Sequence, residues 1–183
     1  MERIVDSSYF IGSRNVPNTV HADVLSKLNR LIDEKQKDYL EKMMGRELYL
    51  AFETGLSTDP VPDRFIAIRD GASYTGLDGL PYQWIGLKNA EKISPLADYI
   101  YYWWLRSAQV QTTPMGQVKT KNQNAAASPA VIQEAAVWNE MIERNRKLND
   151  FLYINYELYP EYQRYMGSRE SDELLTRISP FFY

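Results

Sequence analysis

The chain of 183 residues contains no cysteine and a single histidine, His21. It therefore has no thiolate ligand and no pair of imidazoles at the spacing that a zinc site needs. No apolar run approaches the roughly 20 residues of a membrane-spanning helix, and residues 1–15 lack the apolar segment of a signal peptide. These absences favour a protein made in a reducing compartment, away from membranes, and we expect no cofactor and no metal.

Charge of either sign is also modest, with 24 acidic against 21 basic residues and a net charge of −3. A surface that grips nucleic acid is strongly basic, so sequence-specific DNA binding is not expected. The sequence has no glycine-rich phosphate loop and no nucleophile motif. Glu140 and Glu143 stand one helical turn apart, but beside Arg144 and Arg146 they fit a solvated charge network better than an acid–base pair. We expect no enzymatic activity.

Apolar periodicity predicts a mainly α protein. One helix should run from Thr19 to Gly45 and a second from about Arg46 to Gly55, while the longest should run from Ser128–Pro129 to about Tyr156. The Asp78–Gly79 step lies between aromatic runs and predicts a β-hairpin over residues 72–85. We therefore expect a helical bundle with one small β-hairpin insertion and extended arms.

Three regions follow from this pattern. Residues 1–18 should form an N-terminal arm with at most one edge strand, and residues 19–159 the helical domain. Within that domain, residues 111–127 are too long and too polar for an ordinary connection, so we expect an arm loop that neighbouring molecules order. Residues 160–183 form a tail that ends in three aromatics. We expect this tail to dock on an adjacent subunit, with its own core as the alternative.

The helix predicted from Pro95 to about Ala108 has two apolar stripes. One stripe consists of Leu96, Tyr99, Ile100 and Trp103, and the other of Tyr101, Trp104, Leu105 and Ala108. Because one stripe suffices to face the core, the second is expected to complete its burial against another subunit. Semi-wet contacts between subunits are also expected of five later tyrosines, namely Tyr153, Tyr156, Tyr159, Tyr162 and Tyr165.

The order of these elements resembles a known family. The segments Gln36–Leu56, Arg69–Ala90 and Ala97–Pro129, followed by the long closing helix, are similar to head-to-tail connector proteins of tailed bacteriophages. The likeness is strongest to the adaptor or ring proteins of crAss-like phages that infect Bacteroidales. Its motifs are an apolar helix ending in Met44–Gly45, a hairpin ending in Trp84-x-Gly86-Leu87, an aromatic helix and a Thr-x-x-Gly-x-Val-Lys arm.

The resemblance implies a structural virion protein, made in the host cytoplasm, that forms a ring at the head-to-tail junction. The ring would have twelve copies, dock on the portal protein, meet tail or further ring proteins and surround the DNA channel without reading sequence. The residues expected at subunit or partner interfaces, from this likeness and from the aromatic pattern, are Tyr74, Tyr82, Trp84, Tyr101, Trp104, Leu105, Met115, Val118, Phe181, Phe182 and Tyr183. Lys119 and Lys121 are candidates for contact with the channel DNA backbone. A tail-completion or minor capsid protein is the nearer alternative, and a small helical enzyme the more distant one.

Overall fold

The structure, a computed structural model, describes residues 3–113, 116–119, 129–163 and 172–179. The helices are α1 (Ala22–Leu56), α2 (Asp63–Asp70), α3 (Pro95–Gln109), α4 (Pro129–Ile154) and α5 (Pro160–Gln163). The strands are β1 (Ala72–Thr75), β2 (Pro81–Trp84), β3 (Val110–Thr113) and β4 (Gly116–Lys119). The predicted mainly α fold with a small β-hairpin is confirmed. Within the described ranges, no helix combines the length and the apolar character needed to cross a membrane.

Helix α1 is broken at Gly45, as the sequence predicts. Gly45 has φ 76° and ψ 156°, a backbone conformation that is essentially restricted to glycine. Met44, directly before the break, and Leu48, three residues after it, are completely buried. The break therefore changes the direction of the helix within the core, so that α1 supplies two helical segments to the same apolar interior.

Helix α3 is the central element of the core. It packs against α1 and, more extensively, against α4. Asp98 near the start of α3 pairs with Arg144, while Tyr101 one turn later contacts Gln133, so α3 and α4 run antiparallel. Six hydrophobic residues of α3 expose less than 5% of their surface: Leu96, Ala97, Tyr99, Ile100, Tyr101 and Tyr102. The first half of α3 is thus covered on nearly all sides by its own chain.

The β1–β2 hairpin is antiparallel, with Ala72 opposite Trp84 and Thr75 opposite Pro81. Trp84 anchors it, because its ring is completely buried and its Nε1 donates a hydrogen bond to the Ile68 carbonyl at 2.9 Å. Close backbone packing at the base requires glycine, since a Cβ on Gly71 would lie 2.5 Å from the Trp84 carbonyl oxygen. The hairpin is therefore held firmly at its base, against the end of α2.

The N-terminal arm departs from the sequence prediction. Within residues 3–18 the structure has two short 3-10 turns, Ser7–Tyr9 and Gly12–Arg14, and the edge strand allowed for this region is wrong. The arm is also not extended into solvent, because Ile4, Val5, Tyr9 and Phe10 are buried in the main core. Short apolar segments separated by glycine and proline are compatible both with a strand and with turns whose apolar side chains are buried. Burial against α1 and the residues before α3 decides between them here.

The arm after α3 also differs from the prediction. Strands β3 and β4 form a second antiparallel pair, with Val110 opposite Lys119 and Thr113 opposite Gly116. Strand is therefore not confined to residues 72–85, and the loop expected over residues 111–127 is wrong for residues 111–113 and 116–119. The β-branched residues Val110, Thr112, Thr113 and Val118 favour extended backbone, and this signal is outweighed in the sequence by the polarity of the segment. Residues 120–127 of the predicted loop lie outside the described residues.

A buried carboxylate links the N-terminal arm to the helical bundle. The Asp98 side chain is 1% exposed and pairs with the guanidinium groups of Arg14 and Arg144. The Arg144 bond, from Nη1 to Asp98 Oδ2, is 2.5 Å long. Burial raises the pKa of the Asp98 carboxyl, and the two guanidinium groups oppose that shift. The carboxylate thus joins the second 3-10 turn, α3 and α4 at a single point.

Asp98→Ala should destabilise the fold strongly, because it removes the buried carboxylate shared by two guanidinium groups and leaves them only the exposed Glu140, at 3.7 Å from Arg14 and 3.4 Å from Arg144. The expected loss in the free energy of unfolding is about 3–5 kcal/mol. The control is Asp33→Ala, which removes an exposed carboxylate paired with Arg3 at 2.5 Å and should cost less than about 1 kcal/mol. Urea denaturation followed by circular dichroism measures both. Equal losses for the two variants would contradict a structural role for the buried cluster.

Candidate interaction surface

The structure exposes large apolar side chains where the β1–β2 hairpin meets the end of α4. We call this the hairpin surface, and its members are Leu77, Leu80, Tyr82, Tyr153 and Tyr156. Each exposes between 45% and 82% of its surface. Leu77, Tyr153 and Tyr156, with Ile154, line a cleft of about 220 Å³. Single exposed leucines are common, but leucines and tyrosines from two elements around one cleft are typical of a contact site.

The hairpin surface rests on ordered aromatic packing. The Tyr74 ring stacks on Tyr82 at 5.8 Å between centroids and meets the edge of the Phe151 ring at 5.5 Å. The loop at the hairpin tip is closed by a backbone hydrogen bond from the Gly76 amide to the Leu80 carbonyl at 2.8 Å. Tyr74 therefore connects the exposed face to the core. The exposed groups are preorganised, which lowers the entropy lost when a partner binds.

Carboxylates border the hairpin surface. The Tyr82 hydroxyl donates to Asp78 Oδ2 at 2.7 Å. That hydrogen bond lowers the pKa of Asp78 and raises the pKa of Tyr82. On α4, burial raises the pKa of Asp150, whose charge in turn acts on Tyr74 and Tyr82. The surface thus combines an apolar centre with an acidic border, and such a border tends to exclude acidic partners.

A second apolar area lies at the other end of the α3–α4 pair. We call this the α3 surface, and its members are Trp104, Leu105 and Ile132. Trp104 and Leu105 are half-buried against the core, while Ile132, near the start of α4, is 51% exposed. For Trp104 and Leu105 this agrees with the prediction that their burial by the chain is incomplete. Their completion by another subunit stays a prediction.

Two of the residues predicted for an interface are core residues instead. Trp84 is completely buried by α2 and the hairpin base, so its ring is not at the surface. Tyr101 is 3% exposed, and its hydroxyl accepts a hydrogen bond from Gln133 Nε2 at 3.1 Å. The expectation that Tyr101 is only partly covered is wrong, because the start of α4 covers it. Tyr159 and Tyr162, expected at semi-wet contacts, are buried as well.

The remaining candidates divide by position. Tyr74 is half-buried and Tyr82 is exposed, and both belong to the hairpin. Val118 and Lys119 lie on strand β4, at its register positions opposite Gln111 and Val110. Five candidates lie outside the described residues: Met115, Lys121, Phe181, Phe182 and Tyr183. Sequence reasoning missed Leu77 and Leu80, although a leucine placed inside a turn of glycine and aspartate is a signal for an exposed apolar group.

The described part of the chain holds no cluster of three or more histidine, aspartate or glutamate side chains suited to a metal ion. Comparisons of the sequence with models of known protein families and with characterised proteins, and of the fold with solved structures, found no match. The function is therefore argued from the residues and surfaces of this chain.

Trp104→Glu and Tyr101→Glu should have different effects, although both residues were assigned to the same stripe. Trp104 is half-buried, so its replacement should leave the subunit folded and remove a contact with other copies. Tyr101→Glu places a carboxylate among buried side chains and should unfold the subunit, since an unpaired buried charge costs several kcal/mol. Thermal melting reports the fold and native mass spectrometry reports association. Normal association of a folded Trp104→Glu subunit would assign Trp104 to the core alone.

Proposed function

We propose that the chain is a structural subunit of the head-to-tail connector of a tailed bacteriophage, acting as an adaptor ring protein without catalysis. The ring would dock on the portal protein, meet tail or further ring proteins on its other side, and surround the DNA channel. The observation that carries the proposal is the hairpin surface, an exposed and preorganised apolar area. It includes part of the Arg69–Ala90 segment, in which the sequence resembles the adaptor family.

The positions of the two apolar surfaces are those that the head-to-tail contacts of a ring require. The hairpin surface lies at the C-terminal end of α4 and the α3 surface near its N-terminal end. Ile132 and Tyr153 are 21 residues apart, which is about 32 Å at 1.5 Å per residue. A two-fold contact in which each surface meets its own copy buries only one of the two surfaces. Pairing the hairpin surface of one copy with the α3 surface of the next buries both, and a head-to-tail contact of this kind forms a ring when its rotation closes.

Charge is consistent with DNA that passes through without being held. The net charge of −3 gives each copy little attraction for phosphates. Lys119 ends strand β4, in the arm that follows α3, and is the described candidate for backbone contact. Rotational symmetry would repeat this lysine once per copy, so that a single charge per subunit becomes a basic ring around the channel.

Location in the particle tests the proposal directly. Antibody-labelled electron microscopy of the phage should place the protein at the vertex between head and tail. Image reconstruction there should show a ring, which we expect to contain twelve copies in contact with the portal. Labelling along the tail or on the capsid shell would favour the tail-completion or minor capsid alternative and would reject the adaptor assignment.

Leu80→Glu tests the contact that we propose for the ring. Leu80 is 58% exposed on the hairpin, so the variant should fold normally while the charge weakens packing against the next copy. The matched control is Leu50→Glu, because Leu50 is 47% exposed on α1, outside both surfaces. Native mass spectrometry with purified portal should show rings for the parent chain and for Leu50→Glu, and at least a tenfold loss of rings for Leu80→Glu. Equal assembly of the two variants would remove the hairpin surface from the interface.

A further inference from the structure

Side chains of α4 hold the C-terminal segment of residues 172–179 along the helix. Asn145 Nδ2 donates to the Leu174 carbonyl at 2.8 Å, and Trp138 Nε1 donates to the Thr176 carbonyl at 3.0 Å. Asn139 makes two bonds of 3.0 Å with the backbone N–H and carbonyl of Ile178. As the segment proceeds, its α4 partners move from residue 145 to residues 138 and 139. The segment therefore runs towards the N-terminal end of α4 and is fixed up to Ile178.

A cleft opens beside the point where the described segment ends. Its volume is about 500 Å³, and it is lined by Tyr102, Trp138, Asp172, Glu173, Thr176 and Ile178. The Tyr102 and Trp138 rings lie 4.6 Å apart between centroids, so the cleft has an aromatic wall. Carboxylates from Asp172 and Glu173 lie in the same lining, and Arg106 Nη1 donates to the Tyr102 hydroxyl at 2.8 Å. The cleft thus offers aromatic packing between charged groups of both signs.

The chain beyond Ser179 matches this cleft in chemistry and in length. It includes Pro180, Phe181, Phe182 and Tyr183, three aromatic residues after a proline. Four residues span at most about 14 Å when fully extended. The cleft is lined by Ile178 itself, so it lies within reach of the phenylalanines. Residues 180–183 do not reach the hairpin surface of the same chain, because Asn139 and Tyr153 are 14 residues apart on α4, about 21 Å.

We propose that the C-terminal aromatic residues 181–183 bind in the Tyr102–Trp138 cleft of their own chain. In this arrangement the rings of Phe181 and Phe182 would pack on Tyr102 and Trp138. A tether this short gives a millimolar effective concentration, so the chain's own tail outcompetes the tail of a neighbour present at micromolar concentration. Docking on an adjacent subunit, the expectation from the sequence, is the alternative that the experiment distinguishes.

Paramagnetic labelling tests the proposal, and the absence of native cysteine makes the labelling specific. A single cysteine added after Tyr183 carries a nitroxide, and the indole N–H resonance of Trp138 reports distance in a ¹⁵N-labelled chain. The Leu80→Glu background keeps the experiment independent of ring formation. We expect strong broadening of the Trp138 resonance that does not change when the sample is diluted tenfold with unlabelled, nitroxide-free chain.

Each other outcome overturns the proposal. Broadening that falls on dilution, and that appears when nitroxide-labelled ¹⁴N chain is mixed with ¹⁵N chain, would show that the tail binds a neighbour. No broadening in either sample would show that the cleft does not bind the tail. Because the tether alone keeps the nitroxide near the cleft, binding is measured by comparison with Phe181→Ala/Phe182→Ala, which should weaken the broadening several-fold and lower the melting temperature by a few degrees. Equal broadening in the parent chain and in this variant would come from the tether alone and would contradict the proposal. Leu158→Ala is the control for loss of apolar surface, since Leu158 is 55% exposed away from the cleft, and it should change neither reading.

Discussion

The buried carboxylate of Asp98 is the constraint on which the arrangement of the subunit depends. A charge that is 1% exposed is tolerated only when partners replace its water, and here Arg14 and Arg144 do so. These partners come from the N-terminal arm and from α4, so the three elements must meet at one point. That requirement fixes how α4 lies on α3 and brings the arm over the core. Apolar packing of α3 alone would allow the helices to slide, whereas a paired charge sets their register.

The sequence predicted the local elements well because each carries a local signal. Glycine at position 45 ends a periodic run, and the Asp78–Gly79 step sits between aromatic segments. What the sequence could not supply is which apolar stripe meets which neighbour. Tyr101 and Trp104 belong to one stripe by periodicity, yet Gln133 of α4 covers Tyr101 and leaves Trp104 half-buried. That distinction depends on contacts more than 30 residues apart in the chain, which periodicity does not encode.

Only part of the hairpin surface could be predicted, because the sequence pattern indicates its strands but not the residues that meet them in the fold. Tyr74, Tyr82 and Trp84 alternate with polar residues on a hairpin, and the pattern alone indicates a contact surface on one face. The structure separates their roles, since Trp84 anchors the base, Tyr74 connects to Phe151 and Tyr82 is exposed. Leu77 and Tyr153 come together only in the folded chain, around one cleft. The buried position of Asp98 could not be predicted from the sequence either, because an aspartate in the first turn of a helix is ordinarily exposed and stabilises the helix by its charge.

The Tyr102–Trp138 cleft and the hairpin surface are both apolar and open to solvent, but they differ in their distance from the last described residues. The Tyr102–Trp138 cleft lies within a few ångströms of the last described residues, so a segment of the same molecule can fill it at little cost in entropy. Residues 180–183 do not reach the hairpin surface, because they follow a segment that is bound at Asn139, about 21 Å from Tyr153 along α4. A surface that its own chain covers contributes to the stability of the monomer. The hairpin surface is exposed in the described part of the chain, and for that reason it, rather than the aromatic tail, carries the argument for assembly.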